Sequence, residues 1–382
     1  MGKPYMRDFE QRNQHFDRLA KTPDLRWLGQ NTNHIPTHPA VKEAMIKCIQ
    51  DEEFHSYAPP AGLEELRELV IKDLGLEKMS ALITDGAIAG LYHICHTFCG
   101  SDDVFLTTDP TWAWPMAFVR SVGAQVVQIP IYGDEYEYRL NPHRLASVIS
   151  EKTKVIYLVD PNNPLGSCCT KDEIEAIAEI ARSAKAYLIH DCTYRDFAYE
   201  HHLAADHYPE RTITVWSFSK WLGFAGLRVG AVTALPDVIE QLAMAPPNNL
   251  GSNIVAQRGA IAGLKVKPEW LSGVLATTRE NQELILKTVE SIPGLRVPVS
   301  PSHGNFLVIE CVEAGVRPEA VCTILSRHNI MVRQGAYHTE AFGSRFIKVS
   351  TSTPREWVEE FCALLPASID EAHGMTENVQ LF

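Results

Sequence analysis

The chain has 382 residues, of which 45% are hydrophobic and 21% are charged. These ordinary globular proportions exclude a disordered chain, a coiled coil and a collagen-like chain, and at roughly 150 residues per domain they point to about two domains. Lys and Arg number 35 against 47 Asp and Glu, a formal net charge of −12. That balance argues against nucleic acid or an anionic membrane surface as a partner, because neutralising phosphates needs a surplus of basic residues.

No uncharged stretch reads as a membrane-spanning helix. The longest candidates, such as 241–257, contain Asn and paired prolines. The opening MGKPYMRDFEQRNQ has no apolar core after its basic residues, which argues against a secretory signal. The nine cysteines are odd in number and scattered, so they do not read as a disulfide framework, and a reducing, cytoplasmic setting is expected. Cys95 and Cys99, with His93 and His96, have the only metal-like spacing. They fall in a helix of small and apolar residues, where Cys acts as a buried hydrophobe, and no metal is expected. Cys168 and Cys169 lack a second cysteine pair, and His201 and His202 read as solvated loop residues.

Before residue 40 there is no clear strand–helix rhythm, and this segment is expected to pack on a small domain. Tyr57-Ala58-Pro59-Pro60-Ala61-Gly62 follows, preceded by Glu52, Glu53 and His55, which read as a solvated charge run. The apolar run 81–84 leads through Thr84-Asp85-Gly86-Ala87-Ile88 into a helix, and free N–H groups at such a start bind phosphate. A strand at 104–107 runs into Asp109-Pro110-Thr111-Trp112, where Trp112 could stack on a flat ring or be plain core. A strand at 155–159 runs into Asp160-Pro161-Asn162-Asn163-Pro164-Leu165-Gly166, by composition a turn. Ile174, Ile177, Ile180 and Ala181 repeat at a helical period within 171–185.

A strand at 186–189 is followed by Asp191 and Tyr194, and a carboxylate placed there could cap a helix or pair with a cationic ring nitrogen. The strand at 212–216 delivers Ser217-Phe218-Ser219-Lys220, then Gly223, Gly226, Arg228 and Gly230. A lysine directly after a buried strand is costly unless it is paired. It reads as an amine held in a low-dielectric pocket, where its pKa falls and it can attack a carbonyl; the alternative is a chance Lys on a surface loop. Two serines and an arginine beside it suit an anion, and the glycines allow close backbone approach.

Strands alternating with helices imply a mostly parallel sheet covered on both faces, with functional residues beyond the C-terminal strand ends. After residue 265 the pattern changes. A helix is expected at 269–292, strands at 305–310 and 346–350, a helix between them at 318–328, and a last helix at 354–365. The expected fold is α/β, with a large domain at 40–268 and a small α+β domain made of 1–39 and 269–382.

Taken in order, Tyr57 with Gly62, Gly86-Ala87, Pro110 with Trp112, Asn163-Pro164-Leu165-Gly166, Asp191 with Tyr194, and Ser217-x-Ser219-Lys220 with Arg228 resemble the pyridoxal-phosphate-dependent aminotransferases of class I/II, fold type I. The resemblance spans nearly the whole chain. The segment Leu28-Gly29-Gln30-Asn31-Thr32-Asn33 looks most like the histidinol-phosphate aminotransferase branch.

The resemblance implies roles. Lys220 would hold pyridoxal 5'-phosphate as a Schiff base and shuttle a proton. Asp191 would keep the pyridine nitrogen protonated, making the ring an electron sink. Asn163 and Tyr194 would bond the ring oxygen, and Trp112 would stack on the ring. Gly86, the amides of Ala87 and Ile88, Ser217, Ser219 and Arg228 would hold the phosphate. Tyr57 would reach that phosphate from a neighbouring subunit, which implies a homodimer with shared active sites. Asn163, Asn31 and Lys348 would face the substrate.

One position departs from the family pattern, which places a carboxylate-gripping arginine two residues before a serine. Here the segment is Arg345-Phe346-Ile347-Lys348-Val349-Ser350. Lysine offers a point charge in place of a fork. Either Lys348 grips the carboxylate less specifically, or the substrate is not an ordinary α-amino acid, or a slipped register turns Arg345 or Arg333 inward. The expected reaction is amino transfer between an amino acid and a 2-oxo acid. The alternative is a lyase, cyclase or decarboxylase working through the same quinonoid.

Overall fold

The computed structural model describes residues 9–244 and 250–375. These fall into two compact units. The larger holds Asn33–Leu275 with Ser302–Gly304; the smaller holds the described residues up to Thr32, Ala276–Pro301 and those from Asn305 onward. The expected limits were 39/40 and 268/269. Among the described residues twelve strands follow one another. They are β1 (Arg26–Trp27), β2 (Ser80–Thr84), β3 (Val104–Asp109), β4 (Gln125–Pro130), β5 (Thr153–Val159), β6 (Tyr187–Asp191), β7 (Thr212–Ser217), β8 (Gly230–Ala234), β9 (Phe306–Glu310), β10 (Ile330–Met331), β11 (Arg333–Gln334) and β12 (Phe346–Ser350).

The larger unit is built on a seven-stranded sheet of order β2-β8-β7-β6-β5-β3-β4. Strand β8 runs antiparallel to β2 and β7, and every other neighbouring pair is parallel. Central strands β7 and β8 are buried throughout, as strands covered on both faces must be. The helix Lys171–Ser183 shows why such covers form. Thr170 Oγ1 accepts the Glu173 amide, Glu173 Oε2 accepts the Thr170 amide, and Ile174, Ile177, Ala178 and Ala181 bury one face against the sheet. A reciprocal cap of this kind contributes about 1 kcal/mol.

This topology decides where chemistry can occur. Because β8 is antiparallel to both its neighbours, β2 points the same way as β7, β6, β5 and β3. The C-terminal ends of those five strands therefore share one edge of the sheet with the N-terminal end of β8.

The smaller unit has an antiparallel sheet of order β11-β12-β9 and a parallel pair, β1 with β10. Helices Pro318–Arg327 and Arg355–Ala372 pack Val321, Leu325, Phe361 and Leu365 into its core.

Several expectations shift. The segment before residue 40, read as lacking rhythm, carries the helix Phe9–Lys21 and strand β1. The long helix spans Ile254–Glu290, beginning before the expected 269 and passing through Pro268. Strands β4 and β8 were not anticipated. Edge strand β4 mixes exposed and half-buried residues with the single buried Ile129 and lacks a clean apolar face, and β8 is short and rich in Gly and Ala. Among the described residues no helix is long and apolar enough to cross a membrane. All nine cysteines are free, and all but Cys168 are buried.

Candidate active site

The segments singled out from the sequence line up along that one sheet edge in lateral order: Gly86 after β2, Arg228 before β8, Ser217 to Lys220 after β7, Asp191 and Tyr194 at the end of β6, Asn163 after β5, and Trp112 after β3. Residues up to 142 positions apart in the chain are gathered by topology alone, Gly86 and Arg228 being the extremes (228 − 86).

At the β2 end, Gly86 caps the helix Ala87–Phe98 with φ +77°, and no side chain caps it. The amides of Ala87 and Ile88 thus open the helix without a side-chain acceptor, the arrangement that favours an anion. Arg228, itself at φ +53°, extends beside this turn, its Nη2 3.4 Å from the Asp85 carbonyl and its Nη1 2.6 Å from the Ala225 carbonyl. A Cβ on residue 86 would lie 2.2 Å from Nη2, so only glycine lets the guanidinium sit there.

The β7 end turns at once into the short helix Phe218–Trp221. Ser217 caps it, its Oγ accepting the Ser219 amide at 3.2 Å. Ser219 is buried and Lys220 half-buried. The Lys220 amine is lowered to about 8. Burial is the main cause, the Arg228 guanidinium adds to it, and Asp191 opposes both. Its Nζ lies 5.9 Å from the centre of the Tyr194 ring.

Asp191 is the last residue of β6 and is buried. Its Oδ2 accepts the Tyr157 hydroxyl at 2.9 Å, and its Oδ1 accepts the Thr193 hydroxyl at 2.6 Å and amide at 3.1 Å. Burial raises its pKa, and those hydrogen bonds pull it back. Tyr194 accepts the Asn163 Nδ2 at 3.2 Å, both residues being buried, and Trp112 is half-buried beyond β3. Asn163 is held by its own turn, in which Asn162 Oδ1 accepts the Leu165 amide and the Asn162 carbonyl accepts the Gly166 amide.

Tyr57, also in the larger unit, is 83% exposed. The remaining two candidates lie in the smaller unit. The Asn31 amide donates to Ser350 Oγ at 2.8 Å, and the Asn31 carbonyl accepts Asn305 Nδ2. Lys348 is buried on β12, directly across from Arg333 on β11. Arg333 spreads 4.4 Å from the Tyr337 ring centre, and Lys348 Nζ lies 5.4 Å from that of Phe306. Arg345 instead meets Glu310 at 3.1 Å with its side chain 43% exposed.

Sequence reasoning missed Tyr157, hidden mid-strand among apolar residues. It also misplaced His201, which is buried rather than solvated, its Nε2 3.0 Å from the Asp160 carbonyl. His190, His201 and Cys192 form the only metal-like cluster among the described residues. The Ala204 amide donates to His190 Nδ1 at 3.2 Å, which leaves the proton on Nε2, facing the Asp160 carboxylate at 3.7 Å. A protonated Nε2 is no metal ligand, and His190 and His201 instead both face the Asp160 carboxylate. His190, set inside an otherwise apolar strand, was its available signal.

The family model for aminotransferase class I and II matches residues 23–365. Aspartate aminotransferase of Pyrococcus horikoshii is 28% identical over 89% of this chain and 90% of that protein. Histidinol-phosphate aminotransferase of Methanosarcina mazei is 27% identical over 86% and 84%. A Pyrococcus protein of known structure superposes with a TM-score of 0.81 at 25% identity, covering 95% of this chain and 96% of that one. The N-succinyldiaminopimelate aminotransferase of Mycobacterium tuberculosis shares the fold with a TM-score of 0.84 over 93% and 96%, at 20% identity. The match reaches across both units, and the chain belongs to the aminotransferase class I and II family, pyridoxal 5'-phosphate enzymes that move an amino group between amino and oxo acids.

Proposed function

We propose that Lys220 is the residue that carries the cofactor, and that the sheet edge described above is its cradle. The carrying observation is the lowered amine of Lys220, set at the end of β7 within reach of the Tyr194 ring. The surrounding groups suit the cofactor's chemical parts. The uncapped helix start at Ala87 and Ile88, with Gly86, Ser217, Ser219 and Arg228, suits a phosphate. The buried Asp191 carboxylate suits a protonated ring nitrogen, and the Asn163–Tyr194 pair suits a ring oxygen. Half-buried Trp112 suits the ring face. When bound, the cofactor supplies an electron sink for the bond broken at the substrate's α-carbon.

The chain's own groups account for the rest. The Lys220 amine, lowered chiefly by burial, is the group placed to take and return the α-proton. Asp191, whose carboxyl is pushed up by burial while hydrogen bonds from Thr193 and Tyr157 oppose that rise, is the partner for a positively charged ring nitrogen. In the smaller unit Lys348 and Arg333 supply two cationic groups from paired positions of adjacent strands, and we assign the substrate carboxylate to them, with Asn31 nearby on Ser350. Arg333 thereby offers the fork that Lys348 lacks. The division into two compact units supports a reading of a large cofactor domain and a small domain.

A homodimer completes the reading. Ile46, Ile49, Phe54 and Tyr57 form an exposed apolar stretch along Pro39–Gln50 and the turn after it. Such a face suits burial against a second copy, with Tyr57 reaching that copy's phosphate. Nine free cysteines support a reducing, cytoplasmic setting.

The test follows the nitrogen. An amino acid carrying an isotope-labelled amino group is incubated with the enzyme and a 2-oxo acid, and the products are weighed by mass spectrometry. Label in a new amino acid derived from the oxo acid supports the reading. Label released as ammonia, or retained with loss of carbon dioxide, overturns it in favour of a lyase or decarboxylase.

A further inference from the structure

Trp216 and Trp221 bracket the segment Ser217-Phe218-Ser219-Lys220. Their rings lie parallel, centroids 5.9 Å apart and 8° between planes, and both side chains are fully buried. Lys267, from the long helix Ile254–Glu290, places its Nζ 4.7 Å from one ring centre and 4.8 Å from the other. The same Nζ lies 2.6 Å from Asp73 Oδ2 and 2.6 Å from Asp196 Oδ1. Asp196 Oδ2 accepts the Trp216 indole N–H at 2.9 Å, and Asp73 also holds Arg195 at 3.2 Å.

Two features separate this node from ordinary core. It is charge-balanced, with Lys267 and Arg195 against Asp73 and Asp196, so it can persist at low exposure. It also touches the chain on either side of two cofactor-facing residues. The tryptophans close off the segment bearing Lys220, and Asp196 stands two residues after Tyr194. An apolar residue at 267 would fill the space but would hold neither segment by charge.

We propose that Lys267 is a positioning residue: by gathering both tryptophans and Asp196 around one ammonium group, it fixes the Lys220 turn against the Tyr194 turn. The inference rests on the reading of Lys220 as the cofactor-carrying amine. Loosening the node admits water to the Lys220 pocket, and the cationic form of its linkage to the cofactor becomes easier to maintain.

The experiment uses the full-length holoenzyme. The visible absorbance of the linked cofactor is titrated with pH, and cofactor retention is measured by desalting. Lys267→Met is expected to raise the midpoint by about one pH unit and to weaken retention about ten-fold, while Lys267→Arg, which keeps the charge and can lie against the rings, restores both. Trp221→Phe leaves every charge in place and is expected to shift the midpoint the same way by less. A folded Lys267→Met enzyme with the wild-type midpoint and retention overturns the proposal. If that variant does not fold, an unshifted midpoint in Trp221→Phe overturns it. Failure of the underlying reading looks different: the wild-type enzyme shows no titrating signal, or Lys220→Ala keeps it.

Discussion

The Tyr157 hydroxyl donates to Asp191 Oδ2 at 2.9 Å across the adjacent strands β5 and β6, and both residues are buried. The bond matters because Asp191 is under opposing pressures. Burial pushes its carboxyl up, and Thr193 and Tyr157 are the main groups holding it down. Removing one donor tips the balance toward the protonated, uncharged acid, which cannot pair with a ring cation.

Tyr157→Phe keeps the packing against Phe105 and deletes only the hydroxyl. A hydrogen bond to a charged group contributes about 1.5–3 kcal/mol. Steady-state kinetics should therefore show kcat lowered about ten-fold or more with KM little changed. An unaltered kcat would show that Thr193 alone suffices.

The Lys220 amine, at about 8, should set the pH at which apoenzyme captures cofactor. Stopped-flow mixing across pH should give a capture rate that rises through a midpoint near 8, well below the ordinary lysine value of about 10.4. Arg228→Gln removes a neighbouring cation and should move the midpoint upward.

Gly86→Ala combines strain at φ +77° with a Cβ 2.2 Å from the Arg228 guanidinium. Because Arg228 must swing aside, cofactor affinity should fall about ten-fold or more, with the circular dichroism of the apoenzyme unchanged. Titration of apoenzyme with cofactor measures this.

Lys348→Ala and Arg333→Ala should each raise KM for the amino acid about ten-fold or more and leave cofactor affinity intact, since charge-assisted contacts to a carboxylate are lost. A KM that ignores both changes removes the carboxylate assignment from this strand pair.

His201, buried beside Asp160, is lowered to about 4, chiefly by burial. An unfolded histidine titrates near 6.5. Between those values the unfolded chain binds a proton that the folded one refuses, so stability is lost as pH falls from about 6.5 toward 4, by up to ~3 kcal/mol. Thermal melts should show Tm falling across that window, and His201→Gln should flatten the slope.

Much of the fold and site was legible because buried parallel strands write short apolar runs, and the groups after them must be polar for a reason. Lys220 stands out that way, whereas Asp191 reads equally as a helix cap and Asn163 as part of a turn until the order of the motifs is considered. What escaped did so for physical causes. Tyr157 and His190 point from within strands, where aromatic and imidazole groups pass as core. Lys267 lies just before the expected helix start at 269, so its place in mid-helix was hidden. The cross-strand pairing of Arg333 with Lys348 depends on register, which no local pattern reveals; it shows that the sequence departure at Lys348 is accompanied by an arginine on the facing strand. His201 looked solvated because its neighbours are polar, while its partner Asp160 lies 41 residues away.

The central claim is that Lys220 carries the cofactor. The holoenzyme, treated with borohydride to make the linkage permanent and then digested, gives a direct reading by peptide mass spectrometry. The account predicts the cofactor's mass on the peptide containing Ser217-Phe218-Ser219-Lys220. Cofactor mass on any other lysine, or its complete release after reduction, would contradict it.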